Sequence, residues 1–240
     1  MILFGVINLV SLQSQYRRAA DEYEDLRQNF TDRTADGGGT VEKGEDTEDG
    51  LPEAPELQVD LEALQEENPD TVGWLYYPAC GIDYPVMQDS DNGYYIDHTY
   101  QGDRNAVGSI FMDAYNSAGL TDRNTFLYGH NMRNGEMFGR LKEIREEGVV
   151  SANPYIWLYT ADGWQCYEIF SYHDAGTDDS SFLIRFEDDE DFLAYVDHVR
   201  AMSEAELAVE ISAEDSVLTL STCTGDSSVR FLVHAVLRTK

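Results

Sequence analysis

Cys223 closes a near-uninterrupted apolar run that starts at Ser216, and a second strand-like run, Val229 to Leu237, carries Arg230 at its head. This layout predicts a thiol at the C-terminal tip of a buried strand, where the chain turns into solvent, with a guanidinium at the start of the next strand. A thiolate so placed can attack an acyl carbon, provided that one group favours the thiolate and another holds the negative charge of a tetrahedral intermediate. His130 suits the first role: it follows the apolar run Thr125-Phe126-Leu127-Tyr128 and then Gly129, again a strand end opening into a loop. Arg230 suits the second, having fixed charge and a planar fork of donors. Each also has a plainer reading. A lone cysteine is often a core residue, a histidine closing a strand is often a loop residue, and a strand-edge arginine usually pairs with a surface acid.

The other candidates fit less well. His98 and His173 are expected in polar loops, His198 lies on a predicted helix, and His234 sits inside a strand, on the alternation face of Arg230 and Leu232, where it is read as exposed. Cys80, in a Pro-Ala-Cys-Gly turn, and Cys166, beside Trp164, are read as structural. None of the three cysteines sits in a CxxC or Cys/His pattern with metal spacing, so no metal site and no cofactor is read. They do not form a disulfide framework either.

These side chains must be held by a β-rich body. The 240 residues suffice for one catalytic domain with appendages. Fifteen Tyr and ten Phe favour pleated, half-buried surfaces. Strands are predicted over Val72–Tyr77, Ile82–Met87, Gly108–Met112, Asn124–Tyr128, Tyr155–Tyr159, Gln165–Tyr172, Leu207–Ile211, Val217–Thr222 and Val229–Leu237. A short helix is predicted over Val59 to Glu67 and a long one over Asp188 to Met202, the latter with Phe192, Tyr195, Val196 and Val199 on one face. Many short strands with little helix point to a mainly β fold, a closed barrel of about eight strands with peripheral helices.

The N-terminal region reads differently. Residues 1–12 are apolar and uncharged, too short for the ~20 residues of a membrane span, and lack the basic start and cleavage site of a signal peptide. They are expected to be a clipped anchor whose first part lies outside this numbering. Residues 13–32 are expected to form an amphipathic juxtamembrane helix with Tyr16, Ala19, Ala20, Tyr23 and Leu26 at helical spacing. Residues 33–56 read as a flexible acidic linker rich in Gly and Pro, and residues 57–240 as the catalytic domain. The formal charge of −30 repels phosphate backbones, so nucleic acid is excluded as a partner.

Five motifs in order resemble the sortase family, and in particular its class B branch. Thr219-Leu220-Ser221-Thr222-Cys223 followed by Arg230 is similar to the family's cysteine and arginine signature. Tyr128-Gly129-His130-Asn131-Met132 resembles its histidine motif. Trp74-Leu75-Tyr76-Tyr77-Pro78 with Ile82 to Gln88, Gly108 to Asp113, and Asn124 to Tyr128 resemble the early barrel. The resemblance implies a membrane-anchored cysteine transpeptidase on the outer face of a Gram-positive cell, held by a single N-terminal pass. Such an enzyme cuts an NPxTx-like sorting signal after Thr, holds the product as a thioester on Cys223, and passes it to a cell-wall amine. The alternatives are a pilin lysine as acceptor, or water in a thiol peptidase. A peptide-binding barrel with a vestigial site is disfavoured by the joint presence of Cys223, His130 and Arg230. The same matching implies substrate-binding roles for Asn92, Ser221 and Thr177. No Asp or Asn is placed by the sequence to orient His130, which favours a Cys-His-Arg group over a Cys-His-Asn triad.

Overall fold

The computed structural model describes residues 2–33 and 51–239. In order, they form α1 (Ile2–Phe30), β1 (Thr31–Arg33), β2 (Leu57–Val59), α2 (Leu61–Glu67), β3 (Thr71–Tyr77), β4 (Ile82–Met87), β5 (Ile110–Met112), β6 (Asn124–Tyr128), α3 (Val149–Ala152), β7 (Tyr155–Thr160), β8 (Gly163–Gly176), α4 (Asp189–Met202), β9 (Val217–Cys223) and β10 (Val229–Thr239). Strands β3 to β10 close into an eight-stranded barrel in the order β10-β8-β7-β3-β4-β5-β6-β9, while β1 and β2 pair separately. This is the mainly β barrel that the alternating and aromatic-rich runs predict.

Most neighbours in the barrel are antiparallel, but β4 with β5, and β6 with β9, are parallel. Parallel neighbours need a long crossover. Between β6 and β9 that crossover contains α3, β7, β8 and α4. Its consequence is that β6 and β9 end at the same rim, and β10, antiparallel to β9, begins there.

Alternation sorts the side chains. Leu218 and Leu220 of β9, Leu127 of β6, and Phe231, Val233 and Ala235 of β10 belong to the main core. The intervening residues face outward. Val217 and Val236 are covered by α4 through Phe192, Tyr195, Val196 and Val199, the apolar stripe that helical spacing predicts. Helix α4 starts where Asp188 accepts a hydrogen bond from the Asp191 amide, with three acids in the first turn favoured by the helix dipole.

Helix α1 runs unbroken through the boundary expected at residue 12, and its second half is bound to the barrel. Ala19, Tyr23 and Leu26 are buried, the Tyr23 hydroxyl donates to the Gly108 carbonyl at 2.8 Å, and the Tyr23 and Tyr84 rings meet edge to face at 5.3 Å. Among the described residues no helix is long and apolar enough to cross a membrane. The single-pass anchor and the localisation inferred from it are therefore corrected. The apolar stretch ends at Gln13, and Arg17, Arg18 and Asp21 follow within the same helix. Of the acidic linker, residues 34–50 lie outside the described residues, and its first residue, Arg33, already pairs in β1.

Three local readings also change. Leu207–Ile211 is not a strand: Leu207, Val209 and Ile211 alternate because they pad α4, but this segment pairs with no neighbouring strand. His173 is not in a loop, because β8 continues to Gly176, and the side chain is buried. His234 is not exposed but fully buried. Its ring stacks 5.2 Å from that of His173, and its Nδ1 lies 3.1 Å from the Tyr195 hydroxyl and 3.0 Å from that of Thr219. Polar residues on the outer barrel face are thus hidden beneath α4 and the loop before it, which periodicity alone reads as solvent.

Candidate active site

The parallel register of β6 and β9 sets Tyr128 beside Ser221. Neighbouring strands are about 4.8 Å apart, so the next residues on each strand, Gly129-His130 and Thr222-Cys223, leave the barrel side by side. Three hydrogen bonds hold them. The Gly129 amide donates to the Ser221 carbonyl at 3.2 Å, the Thr222 hydroxyl to the Gly129 carbonyl at 2.7 Å, and the Asn131 side-chain amide to the Cys223 carbonyl at 2.8 Å. Glycine is needed at 129 for packing on its opposite side, because a Cβ there would lie 2.5 Å from Ile110 Cδ1 and 2.8 Å from the Phe138 ring. On the other side Arg230 is the register partner of Cys223. Two strand junctions and one hairpin thereby bring a thiol, an imidazole and a guanidinium to one rim.

Each of the three is conditioned by its surroundings. Cys223 is partly exposed, whereas Cys80 and Cys166 are buried, and burial pushes both of their thiols up to about 12. Those two stay protonated and inert, as their structural reading requires. The His130 Nε2 lies 2.6 Å from the Ile96 carbonyl. A carbonyl only accepts, so Nε2 carries the proton and Nδ1 is left as the nitrogen available for proton exchange. A main-chain oxygen thus orients the ring. Arg230 donates from Nη1 to the carbonyls of Ser227 and Val229 at 2.8 and 3.2 Å, and it makes no ion pair among the described residues. On a chain with 46 acidic residues, a strand-edge arginine left unneutralised beside a thiol is available to an anion.

The three residues expected to meet substrate border the same rim. Ser221 lies on the outer face of β9, is 2% exposed, and its hydroxyl has no hydrogen-bond partner among the described residues. Thr177 is exposed just beyond β8, its amide donating to the Ser228 carbonyl in the hairpin that carries Arg230. Asn92 is connected through Asp113, whose carboxylate also accepts from Tyr128, the residue beside Ser221. The loop between β8 and α4 lies over the adjoining part of this face: Phe182 stacks on Phe126 with ring centroids 5.9 Å apart, Asn124 donates to the Leu183 carbonyl, and Arg185 reaches the Tyr115 carbonyl. Ile96, Asp113, Tyr128 and the clamp made by Asn131 escape a reading by residue type alone. A usable signal existed for Asp113: an acid ending the apolar run Ile110-Phe111-Met112, much as His130 follows one.

The sequence matches the Sortase domain over residues 75–238. It is 34% identical to the sortase B of Listeria monocytogenes over 188 residues, 77% of this chain and 76% of that protein. Among solved structures, sortase B from Bacillus anthracis in complex with AAEK1 superposes with a TM-score of 0.78 at 26% identity, covering 95% of this chain and all of that one. The Staphylococcus aureus sortase B–substrate complex gives a TM-score of 0.71 at 28% identity, covering 75% of this chain and 84% of the other. The chain belongs to the sortase family of cysteine transpeptidases. Within that family its relatives are of class B, in agreement with the motifs around Trp74, Ile82 and Ser221.

Proposed function

We propose that the chain cleaves an NPxTx-like sorting signal after Thr, holds the product as a thioester on Cys223, and transfers it to an amine of the Gram-positive cell wall. The observation that carries this reading is the shared rim: Cys223 in register with Arg230, and the strand that leads into His130 parallel to the one that ends in Cys223. In the first half-reaction the Cys223 thiolate attacks the Thr carbonyl carbon. As the tetrahedral intermediate collapses, the C–N bond breaks and imidazolium His130 gives its Nδ1 proton to the leaving amine. In the second, the incoming amine attacks the thioester, neutral His130 takes up its proton, and sulfur departs as thiolate. The Arg230 donors not engaged by Ser227 and Val229 stabilise the oxyanion in both steps. Ser221 supports peptide binding with a buried hydroxyl that lacks a partner among the described residues, and Thr177 and Asn92 border the same site.

Incubation with a panel of NPxTx peptides and amines, followed by mass spectrometry, tests this reading. The expected result is a mass increase on Cys223, absent in Cys223→Ala, that a wall-type amine discharges to a new amide. Discharge only by a pilin-type lysine, or only by water, selects the corresponding alternative. Normal turnover by a folded Cys223→Ala variant would refute the nucleophile.

A further inference from the structure

Asp113 stands just beyond β5 and is 3% exposed, yet it makes no ion pair among the described residues. Neutral donors occupy its carboxylate instead. Oδ2 accepts from Asn92 Nδ2 at 2.9 Å and from the Tyr128 hydroxyl at 2.8 Å, while Oδ1 accepts from the Tyr115 amide at 2.8 Å. The other end of the Asn92 amide is fixed as well, since its Oδ1 accepts from the Ala114 amide at 2.7 Å. A buried carboxylate is costly unless satisfied in this way. The loop before β5 and the outer face of β6 are thereby tied to one anion.

The arrangement decides the polarity of Asn92. A carboxylate can only accept, and a backbone amide can only donate. The Asn92 side chain must therefore turn its NH2 toward Asp113 and its oxygen toward Ala114. An amide nitrogen carries two protons, and Asp113 takes one, so the half-exposed side chain keeps one N–H donor. Tyr128, likewise, is kept a neutral donor to Asp113, because burial and then the neighbouring carboxylate push its phenol up.

We infer that Asp113 is a positioning residue for peptide recognition: its buried carboxylate holds Asn92 so that a donor, and not an acceptor, faces the bound peptide. The partner is a carbonyl oxygen of the peptide, main-chain or side-chain amide. The inference rests on the sortase reading of Cys223, His130 and Arg230, and it assigns Asp113 no contact with the reacting atoms. Asp113 acts on binding before chemistry, so KM moves while kcat is kept.

The test uses the full chain and a quenched-fluorescent NPxTx peptide, with Asp113→Asn, Asn92→Asp and the double exchange Asp113→Asn/Asn92→Asp. Asp113→Asn removes the carboxylate that holds Asn92 Nδ2, leaving the Ala114 amide alone to fix the side chain, and is expected to raise KM about tenfold at similar kcat. Asn92→Asp sets two carboxylates together and is expected to lower Tm as well as to raise KM. The double exchange restores one amide–carboxylate pair with the roles reversed. It is expected to regain most of the lost Tm, but to keep the high KM, because position 92 now carries acceptors only. Recovery of KM together with Tm would show that the peptide needs no donor at position 92, and that result overturns the inference. So does a KM within about twofold of the wild-type value in Asp113→Asn. Should Asp113→Asn not fold, the KM of the double exchange still tests the donor at position 92 on which the inference depends. If the wild-type chain forms no thioester with any NPxTx peptide, the reading of the site itself fails. If it forms one and KM ignores all three variants, only the role of Asp113 fails.

Discussion

Gly129→Ala tests whether the packing of the chain just before His130 against Ile110 and Phe138 is what positions the imidazole. The new methyl would lie 2.5 Å from Ile110 Cδ1 and 2.8 Å from Phe138 Cδ2. Carbon atoms rest at roughly 3.5–4.0 Å, so the intrusion is about 1 Å on one side and about 0.7 Å on the other. Ile110 and Phe138 are both fully buried, so each can yield only by repacking against its neighbours. Phe138 is also tied to the site by its amide, which donates to the His130 carbonyl at 3.0 Å. Whatever part of the clash this repacking does not relieve displaces Gly129 and His130 and strains the Thr222 to Gly129 hydrogen bond. Overpacking of this kind costs about 1–3 kcal/mol of stability, and a misplacement of ~1 Å at a reacting group costs on the order of 10²-fold in rate. Thermal unfolding and the rate of thioester formation, followed by mass spectrometry, measure the two effects separately. A variant with unchanged Tm and rate refutes the packing argument. One that loses Tm but keeps its rate shows that the imidazole position tolerates the shift, and refutes the link from glycine to catalysis.

Two further outcomes are expected. Arg230→Lys keeps the charge but loses the fork that lets one nitrogen bond Ser227 and Val229 while leaving other donors uncommitted; the rate of acylation should fall about 10–100-fold with Tm nearly unchanged, and near-wild-type rates would show that a point charge suffices. Stability should fall in mild acid because of two buried histidines. Burial lowers the pKa of His173, the Asp179 charge opposing in part, and burial, then the charges of His173 and His198, lowers that of His234 well below 6.5. A depressed histidine pKa means that below about 6.5 the unfolded chain binds more protons than the folded one, so stability is complete above that value and is lost as pH falls from it. Asp179 does not contribute in this range: burial pushes its carboxyl up, but hydrogen bonds from Ser181 and His198 outweigh this and hold it at about 2, so its share is lost only in strong acid, below the ordinary carboxylate pKa of 3.8. Thermal melts between about pH 7.5 and 5 read the slope; a flat profile, or an identical slope in His234→Gln, would contradict it.

The legibility of this chain divides along physical lines. Ile82–Met87 and Asn124–Tyr128 are found with the bounds predicted, since an apolar or β-branched run between turn residues has few other fates. The face of α4 is equally legible, because i, i+3, i+4 and i+7 spacing reports burial directly. Leu207–Ile211 misleads because alternation marks a segment with one buried side, whether that side meets a strand or a helix. The end of β8 and the burial of His173 and His234 mislead for the opposite reason: the imidazoles there meet Ser171 and Ser181, and Tyr195 and Thr219, the last two on other elements of the fold.

Residue types and order determined which atoms could react: a cysteine, a histidine and an arginine, each at the end of an apolar run, within motifs that match one family. Their meeting was decided by topology. His130 and Cys223 are brought together because β6 and β9 pair in parallel across a crossover holding two strands and two helices, and parallel pairing sends both chain ends to one rim. Tertiary structure also decided that the Ile96 carbonyl orients the imidazole and that Asp113 governs Asn92. Hydrogen bonds that join distant segments have no period for a sequence to display.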